Sequence, residues 1–361
     1  MKRRAITGKL VLPDKVLPGG AVVFGDGIIE YAGPADGVEL PAERIDAGDR
    51  LIAPGFVDIH CHGGGGAMGH EEPDAVAEFH RKHGTTSLLC TFYRNLSHDA
   101  ITAGLRKVAE CKAPNLAGVH MEGPYLNPEY GSKMVPGETV DEHFYKPILE
   151  TGLVRQWTYA PEMPGTSKFA RDVANAGSVP AIGHSAASPA KVAEAVCDGT
   201  RIVTHLMNAT GCSVTPTRYA GTLEVSFDIA AMVFDELYFE LILDKTGIHV
   251  RHEMVDFIIK AVGLDRLVGV TDHMPLSGGT EGDDSDVTIE NGELCGSRLT
   301  MDSVARNFRA LGLNTAEVFQ VVSLNPARAI NIDDSVGSLE RGKRANILLV
   351  DELFKEVEVV E

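Results

Sequence analysis

The chain is 361 residues long, enough for one large domain or for a large domain with a small one. Hydrophobic residues make up 44% of it and charged residues 23%, as in ordinary globular proteins. The formal net charge of −18 argues against a surface for nucleic acid or an anionic membrane, because both need clustered basic residues. A small anionic substrate stays compatible with this charge, since a local arginine or histidine cluster can override the global field.

Cysteines and apolar runs bear on where the protein works. The six cysteines are scattered without a Cys-x-x-Cys pair, which in a chain of this length indicates reduced thiols rather than a disulfide framework. Residues 1–9 are basic but lead into no apolar core, so they are not typical of a signal peptide. No apolar run approaches the ~18 residues of a membrane helix. We therefore expect a cytoplasmic protein.

The two ends of the chain share one pattern. Residues 4–52 contain short apolar runs separated by Gly and Pro turns at hairpin spacing, and residues 337–360 repeat that texture. The sequence therefore predicts a small β-sandwich domain assembled from both termini, residues 1–52 plus 335–361.

The middle of the chain, residues 53–334, alternates between strand-like runs and segments of helical period. The predicted strands are 56–62, 86–92, 116–122, 156–160, 179–184, 201–205, 237–244 and 267–272. The predicted helices include 73–83, 98–111, 167–176, 189–197 and 252–262, with N-caps at Ser97, Ser167 and Ser188. Eight such β units predict an α/β fold, a (β/α)₈ TIM barrel. A doubly wound open sheet is the main alternative.

Polar residues stand where these strands end. In a (β/α)₈ barrel the active site lies at the carboxyl ends of the strands. Five of the predicted strands end there in ionisable residues: His60 with His62, His120 with Glu122, His184, His205 and Asp272. Each residue alone has a structural explanation, but unrelated residues rarely fall at the same end of five strands. Together they predict a metal site.

The donor types indicate which metal and which chemistry. Imidazole and carboxylate without thiolate suit a divalent Zn, Fe, Mn or Co ion, one or two per chain. Such a site lowers the pKa of bound water towards ~7 and can polarise a carbonyl. Asp272 can then act as base for the attacking water and as acid for the departing amine. This arrangement predicts hydrolysis of an amide-type bond.

Motifs in one order along nearly the whole chain carry a family resemblance. They occupy residues 54–63, 83–86, 120–127, 183–185, 204–209, 270–272, 296–301, 325–328 and 337–347. Glu122-Gly-Pro and Thr204-His-Leu-Met-Asn-Ala209 are the most specific of them. On these residues the sequence resembles the amidohydrolase superfamily and, within it, the N-acetylglucosamine-6-phosphate deacetylases.

The resemblance implies roles for individual positions. Glu122, His184 and His205 match the ligands of the main metal, His60 and His62 match a pair that holds a second ion in some members, and Asp272 matches the general acid/base. The implied substrate-binding residues are His120, Ser132, Asn208, Ala209, Arg218, His249, Leu299, Thr300 and Met301. The substrate would be a small amino-sugar phosphate, and Arg218 would reach the active site of the neighbouring subunit of a homodimer, where its fork geometry suits phosphate.

Three departures from the family pattern fall in the pocket lining. Lys133 stands where a histidine is usual, Thr246 replaces an aspartate in Asp-Gly-x-His249, and His273 follows Asp272 where a small residue is common. They leave the deacylase chemistry intact, but more than one substrate stays compatible with the sequence. N-acetylgalactosamine 6-phosphate or an unphosphorylated N-acyl sugar are the alternatives to N-acetylglucosamine 6-phosphate.

Three other functions compete with this hypothesis. Gly64 to Gly69 formally match G-x-G-x-x-G after a strand, but no acidic strand end follows about twenty residues on to hold a ribose. An amidohydrolase acting on a cyclic amide typically uses a carboxylated lysine on the fourth strand, and residues 156–160 contain no lysine. A non-catalytic protein on this fold would be expected to have lost ligands or Asp272, and none is lost.

Overall fold

A computed structural model describes residues 3–93, 95–131, 138–275, 286–290 and 292–360. Its strands are β1 (Arg4–Val11), β2 (Val16–Gly25), β3 (Ile28–Pro34), β4 (Arg44–Pro54), β5 (Phe56–Cys61), β6 (Gly63–Gly64), β7 (Ala67–Met68), β8 (Thr85–Tyr93), β9 (Leu116–Glu122), β10 (Val154–Tyr159), β11 (Val179–Ile182), β12 (Ile202–Val203), β13 (Tyr238–Ile242), β14 (Leu267–Val270), β15 (Val287–Glu290), β16 (Glu293–Ser297), β17 (Ile347–Val350) and β18 (Val357–Val359).

Helices alternate with the strands of the middle segment. They are α1 (Pro73–Lys82), α2 (His98–Glu110), α3 (Glu142–Glu150), α4 (Thr166–Asn175), α5 (Pro189–Cys197), α6 (Phe227–Met232), α7 (His252–Val262), α8 (Met301–Ala310), α9 (Thr315–Phe319) and α10 (Asn325–Ala329). Short 3₁₀ turns cover Ala35–Gly37 and Leu264–Arg266, and a π-helical turn at Gln320–Leu324 joins α9 to α10. Among the described residues, no helix has the length and apolar composition needed to cross a bilayer.

Strands from both termini form a sheet of their own. Its order is β18-β17-β4-β1-β2-β3, with β1 and β4 parallel and the other neighbours antiparallel. The sheet curls back on itself, because Ile29 N in β3 donates to Lys343 O, 2.8 Å away, just before β17. A separate apolar core fills it, including Ile6, Phe24 and Leu349. The prediction that both ends build one β unit is confirmed; its boundaries at residues 52 and 335 stay a prediction.

Eight parallel strands form the barrel. Their order is β5-β8-β9-β10-β11-β12-β13-β14, and the first and last strands meet along a seam. Across that seam Asp272 N donates to His60 O (2.8 Å) and His62 N donates to His273 O (3.1 Å). The predicted (β/α)₈ barrel is therefore confirmed, and the open doubly wound sheet is excluded by the closing bonds.

The barrel strands are apolar because helices cover their outer faces. All four residues of β11 are buried, as in parallel strands packed on both sides. Phe169 of α4 packs edge-to-face on Trp157 of β10, with ring centroids 5.1 Å apart. Such packing fixes the strands rigidly, so the side chains at their carboxyl ends have defined positions.

Element boundaries test the predicted caps. The helices predicted at 189–197 and 252–262 and the strand at 116–122 have those bounds, and Ser97 and Ser188 cap α2 and α5. The cap predicted at Ser167 is wrong: α4 begins one residue earlier, after Gly165 at φ 87°. Thr166 instead donates its hydroxyl to Met163 O (2.7 Å), which closes the preceding turn.

Three strands end sooner than their sequence pattern suggests. The strands β11, β12 and β14 stop about two residues before His184, His205 and Asp272, which lie just outside the ladder at φ 47°, 30° and 46°. A positive φ is costly for a residue with a Cβ, so it persists only where surrounding contacts impose it, often at functional sites. These three residues therefore turn off their strands at one end of the barrel.

Candidate active site

The strand ends bring seven predicted residues into one buried region. His60 and His62 come from β5 and the residue after it, His120 and Glu122 from β9, and the others follow β11, β12 and β14. His60 is fully buried, and Glu122, His205 and Asp272 are each less than a tenth exposed. The ligand atoms of six of them, all but His120, divide into two groups of three.

The first group, called here the Glu122 group, is Glu122, His184 and His205. Glu122 Oε1 lies 2.9 Å from His184 Nε2 and 3.2 Å from His205 Nε2, and the two Nε2 atoms are 3.0 Å apart. His184 Nδ1 donates to Tyr130 O (3.1 Å), which turns its Nε2 towards the other two ligand atoms. One carboxylate and two imidazoles thus converge on a single point.

The second group, called here the His60 group, is His60, His62 and Asp272. Asp272 Oδ1 lies 3.1 Å from His62 Nε2 and 3.5 Å from His60 Nε2. Glu122 connects the two groups, because its Oε2 is 3.4 Å from His62 Nε2 and its Oε1 is 3.6 Å from His60 Nε2. The residue predicted to carry the proton is therefore also a neighbour of the histidine pair.

The residues present fit a divalent metal. His60 Nε2 is buried and has no hydrogen-bond partner, although two carboxylates stand within 3.6 Å of it. Buried polar nitrogens rarely lack partners, so such an atom calls for an explanation. Both groups offer imidazole and carboxylate without a thiolate, the donor set of catalytic zinc and related ions.

Without an ion, the carboxylates hold protons on the histidine pair. Burial lowers the pKa of His60, but Asp272, Glu240 and Glu122 outweigh it and raise that pKa to about 10. In His62 burial is likewise outweighed, here by Asp272 and Glu122, and its pKa is raised to about 9. Burial raises the pKa of Asp272, but the rings of His60 and His62 outweigh it and lower that pKa. An ion entering the His60 group must therefore displace protons.

His120 lies beside the metal ligands. Its ring packs edge-to-face on that of His60, with centroids 4.6 Å apart. Its Nδ1 is 3.2 Å from Thr91 Oγ1 and its Nε2 is 2.8 Å from Thr158 Oγ1. Burial holds the pKa of His120 well below its usual range, so the imidazole is neutral and can donate one hydrogen bond.

A loop after β12 presents Asn208 and Ala209. Asp228 at the start of α6 fixes this loop, accepting from Met207 N (2.9 Å) and Thr210 Oγ1 (2.7 Å). Ala209 has φ 52°, and its carbonyl accepts from Ser185 N (3.2 Å), next to His184. The loop is therefore anchored beside the Glu122 group.

The segment Leu299–Met301 is tied to Asp272. Ser297 N donates to Asp272 O (2.8 Å), and Ser297 Oγ donates to Thr271 O (2.5 Å). His273 Nδ1 donates to Leu299 O (2.8 Å), so the unusual histidine after Asp272 holds this segment in place. Thr300 then caps α8, which begins at Met301.

Asp244 contacts His249 where the motif lacks an acid at Thr246. Its carboxylate accepts from the backbone N of Thr246 (3.0 Å), Ile248 (2.9 Å) and His249 (2.8 Å), and faces His249 Nδ1 at 3.2 Å. These hydrogen bonds outweigh burial and lower the pKa of Asp244. The departure at Thr246 thus leaves His249 with a carboxylate partner, and its Nε2 faces Gly296 O at 3.2 Å.

One predicted substrate residue, Arg218, is not brought to the buried groups. Arg218 lies on an exposed segment with its side chain 67% exposed, and its Nε faces Glu224 Oε2 at 3.7 Å. Ser132, together with the departure at Lys133, lies outside the described residues.

The glycines after His62 form a tight hairpin rather than a nucleotide-binding turn. The strands β6 and β7 pair antiparallel, Gly63 with Met68 and Gly64 with Ala67, and the next helix begins only at Pro73. A Cβ at Gly63 would lie 2.2 Å from Ala67 O, so the hairpin requires glycine there. This geometry does not offer a helix N-terminus to a pyrophosphate.

A third cluster, Asp58, Cys61 and His80, anchors that hairpin. His80 Nε2 donates to Gly63 O (2.9 Å) and is 3.1 Å from Cys61 Sγ, while Asp58 Oδ2 accepts from Thr271 Oγ1 (2.6 Å). These contacts explain why the three residues lie together without any ion.

Sequence reasoning missed the polar residues behind the ligands. Glu240 on β13 and Gln156 on β10 are fully buried and hydrogen-bond each other, Gln156 Nε2 donating to Glu240 Oε1 at 2.6 Å. A signal existed, because Glu240 is the charged residue inside the otherwise apolar strand Tyr238–Ile242.

Comparison with known proteins places this architecture in a family. Residues 51–360 match the sequence model of the amidohydrolase family. The chain therefore belongs to the amidohydrolase family.

The similar proteins include deacetylases named for two different amino-sugar phosphates. The chain is 29% identical to the N-acetylglucosamine-6-phosphate deacetylase of Haemophilus influenzae, over 92% of this chain and 91% of that protein. It is also 29% identical to the N-acetylgalactosamine-6-phosphate deacetylase of Shewanella sp. (strain ANA-3), over 87% and 82%. A mutant N-acetyl-D-glucosamine-6-phosphate deacetylase from Mycobacterium smegmatis, solved with N-acetyl-D-glucosamine-6-phosphate, superimposes with a TM-score of 0.86 at 25% identity, covering 98% and 96% of the two chains. The resemblance seen in the motifs is confirmed.

Proposed function

We propose that this protein is a metal-dependent deacetylase that converts N-acetylglucosamine 6-phosphate to glucosamine 6-phosphate and acetate. The observation that carries the proposal is the convergence of two imidazole–carboxylate groups on Glu122, with Asp272 beside both histidines of the second group. Relatives named as deacetylases of amino-sugar phosphates, similar over nearly the whole chain, support the choice of substrate class.

The Glu122 group would hold one divalent ion and the His60 group a second, with Glu122 between them. Bound there, a metal supplies Lewis acidity and a water of lowered pKa. We propose zinc, because a mixed His and carboxylate set without thiolate suits it, with iron, manganese or cobalt as alternatives.

Asp272 would move the proton of the reaction. Because its pKa is lowered, the carboxylate is ionised, and it can accept a proton from the attacking water. It then hands that proton to the amide nitrogen as the bond to the acetyl carbon breaks. His120 or His249 would donate to the carbonyl oxygen, and the neutral ring of His120 packs against the ring of His60.

Asn208 and Ala209 would meet the sugar through the backbone, and Leu299–Met301 would form another part of the substrate lining. Both segments are anchored to ligand-bearing residues, the first through Ser185 and the second through Asp272. An anchored lining loses little freedom on binding, which favours a defined sugar orientation. Ser132 is retained in this set from the sequence motif alone.

We propose that the active unit is a homodimer in which Arg218 binds the phosphate in the neighbouring active site. Two apolar side chains close to it in sequence are highly exposed, Tyr219 at 75% and Leu223 at 87%. Exposed apolar side chains on the same segment as an exposed arginine suit a subunit contact. We also propose a cytoplasmic location, in keeping with six unpaired cysteines.

Arg218→Ala tests the phosphate role. The variant should raise KM for a 6-phosphorylated substrate about 10- to 100-fold, as expected for losing a charge-assisted hydrogen bond worth ~1.5–3 kcal/mol. KM for the unphosphorylated sugar is the control and should stay unchanged. Equal effects on both substrates would show that Arg218 recognises no phosphate.

A deacetylation screen tests the function as a whole. Zinc-reconstituted protein is offered N-acetylglucosamine and N-acetylgalactosamine, each with and without a 6-phosphate, and acetate release is measured. We expect the highest kcat/KM for N-acetylglucosamine 6-phosphate. A preference for the galactose epimer would assign the protein to the function of the Shewanella relative, and activity on none of the four would overturn the proposal.

A further inference from the structure

Glu240 is a buried acid that the proposed chemistry does not use. It lies on β13 (Tyr238–Ile242) and has no accessible surface. A carboxylate in the interior of a protein is costly unless hydrogen bonds compensate it, so its contacts indicate why it is there.

Glu240 contacts both metal-ligand groups, but in different ways. Its Oε2 accepts from the ring of His60, with Nδ1 at 3.0 Å, and from the backbone N of His205 at 3.2 Å. Its own carbonyl accepts from Leu206 N at 2.8 Å. The side chain of Glu240 thus orients the ring of His60, whereas it touches His205 only at the main chain.

The hydrogen bond to His60 selects one form of the imidazole. When Nδ1 donates to Glu240, the nitrogen of the ring that is left free to bind an ion is Nε2. That atom is the one 3.5 Å from Asp272 and 3.6 Å from Glu122, and it has no hydrogen-bond partner. The geometry therefore presents His60 to an ion through Nε2.

The other rings of the site differ from His60 in this respect. The outer nitrogens of His62 and His205, both Nδ1, are buried and lack a hydrogen-bond partner among the described residues. His184 uses a backbone carbonyl, Tyr130 O, for the same purpose. His60 is thus the ring whose outer nitrogen is held by a carboxylate, the partner that most increases the basicity of a ligating histidine.

We propose that Glu240 is the positioning residue for His60 and thereby sets the affinity of the His60 group for its metal ion. This rests on the proposed two-metal site, but not on the identity of the sugar. Gln156 completes the arrangement, because its Nε2 donates to Glu240 Oε1 at 2.6 Å and holds the carboxylate in place.

Glu240→Gln removes the charge while keeping the shape. The amide oxygen can still accept from His60, and Gln156 can turn its partnerless Oε1 towards the new NH₂ group. In zinc titrations with metal buffers, the affinity for the weaker of two ions should fall about 10- to 100-fold. The affinity for the tighter ion, which the Glu122 group holds, should not change.

Thr200→Val is the matched control. Thr200 is buried before β12, and its hydroxyl is 2.8 Å from Tyr159 Oη, so valine removes a buried hydrogen bond away from the site. This variant should leave both zinc affinities unchanged. If Glu240→Gln weakens both ions equally, or neither, Glu240 does not position His60.

A measurement on the unaltered protein keeps the proposal testable if the variant does not fold. In zinc-loaded protein labelled with ¹⁵N-histidine, His60 should show a slowly exchanging proton on Nδ1 and metal on Nε2; its signal is assigned by its loss in His60→Asn. Metal on Nδ1, or no protected proton, would overturn the proposal. Both experiments use zinc alone, so a protein that binds two ions and deacetylates nothing would contradict the proposed function and leave this role intact.

Discussion

The two ligand groups are built from the same residue types but differ in how closely their ligand atoms lie together and in whether they share a carboxylate with the other group. In the Glu122 group every ligand atom lies within 3.2 Å of the next. In the His60 group the two Nε2 atoms lie 3.1 and 3.5 Å from Asp272 Oδ1. The His60 group also contains the proposed proton carrier and depends on Glu122 as a shared neighbour. On the proposed assignment, we expect the Glu122 group to retain an ion alone and the His60 group to bind its ion more weakly, because its carboxylate also serves the reaction.

The sharpest way to separate the two roles of Asp272 is Asp272→Asn. Removing a general acid/base should lower kcat about 10²- to 10⁴-fold. Zinc held by the Glu122 group should stay, since none of its three residues is altered. Zinc content and kcat are measured on the same preparation. Substantial residual turnover would refute the proton role, and loss of all zinc would make Asp272 essential to both groups.

Replacing each group in turn should expose their unequal strength. His60→Asn combined with His62→Asn should reduce zinc from two ions per chain to one, because the Glu122 group keeps its three ligands. His184→Asn is the matched change in the other group and should remove the tighter ion. Zinc per chain is read by elemental analysis after dialysis. Identical losses from the two variants would erase the distinction between the groups.

The pH dependence of zinc loading should mark the His60 group. In metal-free protein the pKa of His60 is about 10 and that of His62 about 9, so both rings are protonated near neutrality. An ion must displace those protons; its affinity therefore rises with pH through this range and falls as the pH is lowered. Calorimetry in buffers of different ionisation enthalpy counts the protons released. The variant without His60 and His62 should lose most of this release.

Much of the barrel was predictable because its signals are local. Apolar runs with polar ends predict parallel strands, and serines before α2 and α5 predict their starts. The prediction at Ser167 failed because a glycine at positive φ two residues earlier, Gly165, sets the start of α4, a feature that no periodicity reveals. The short β12 and the π-helical turn at 320–324 likewise depend on tertiary packing.

The candidate site was predictable only in the part that faces the reaction. Strand-end residues such as His205 and Asp272 follow from the architecture, since parallel strands deliver their carboxyl ends to one face. Glu240 acts on His60 across 180 positions of sequence, and that pairing exists only in the closed barrel. Asp244 replaces the missing acid of the His249 motif from outside it, which the motif itself cannot show.

The proposed second metal site lies at the seam where the first and last barrel strands meet. His60 lies in the first barrel strand, His62 follows it and Asp272 follows the last strand, and hydrogen bonds such as Asp272 N to His60 O join those strands. An ion in the His60 group would cross-link the first and last strands of the barrel. Because a ligand that binds only the folded state stabilises it by an amount that grows with the logarithm of its concentration, zinc there would oppose opening of this seam. A folding intermediate in which the eighth strand has not yet joined the sheet cannot form this cross-link, because Asp272 follows that strand.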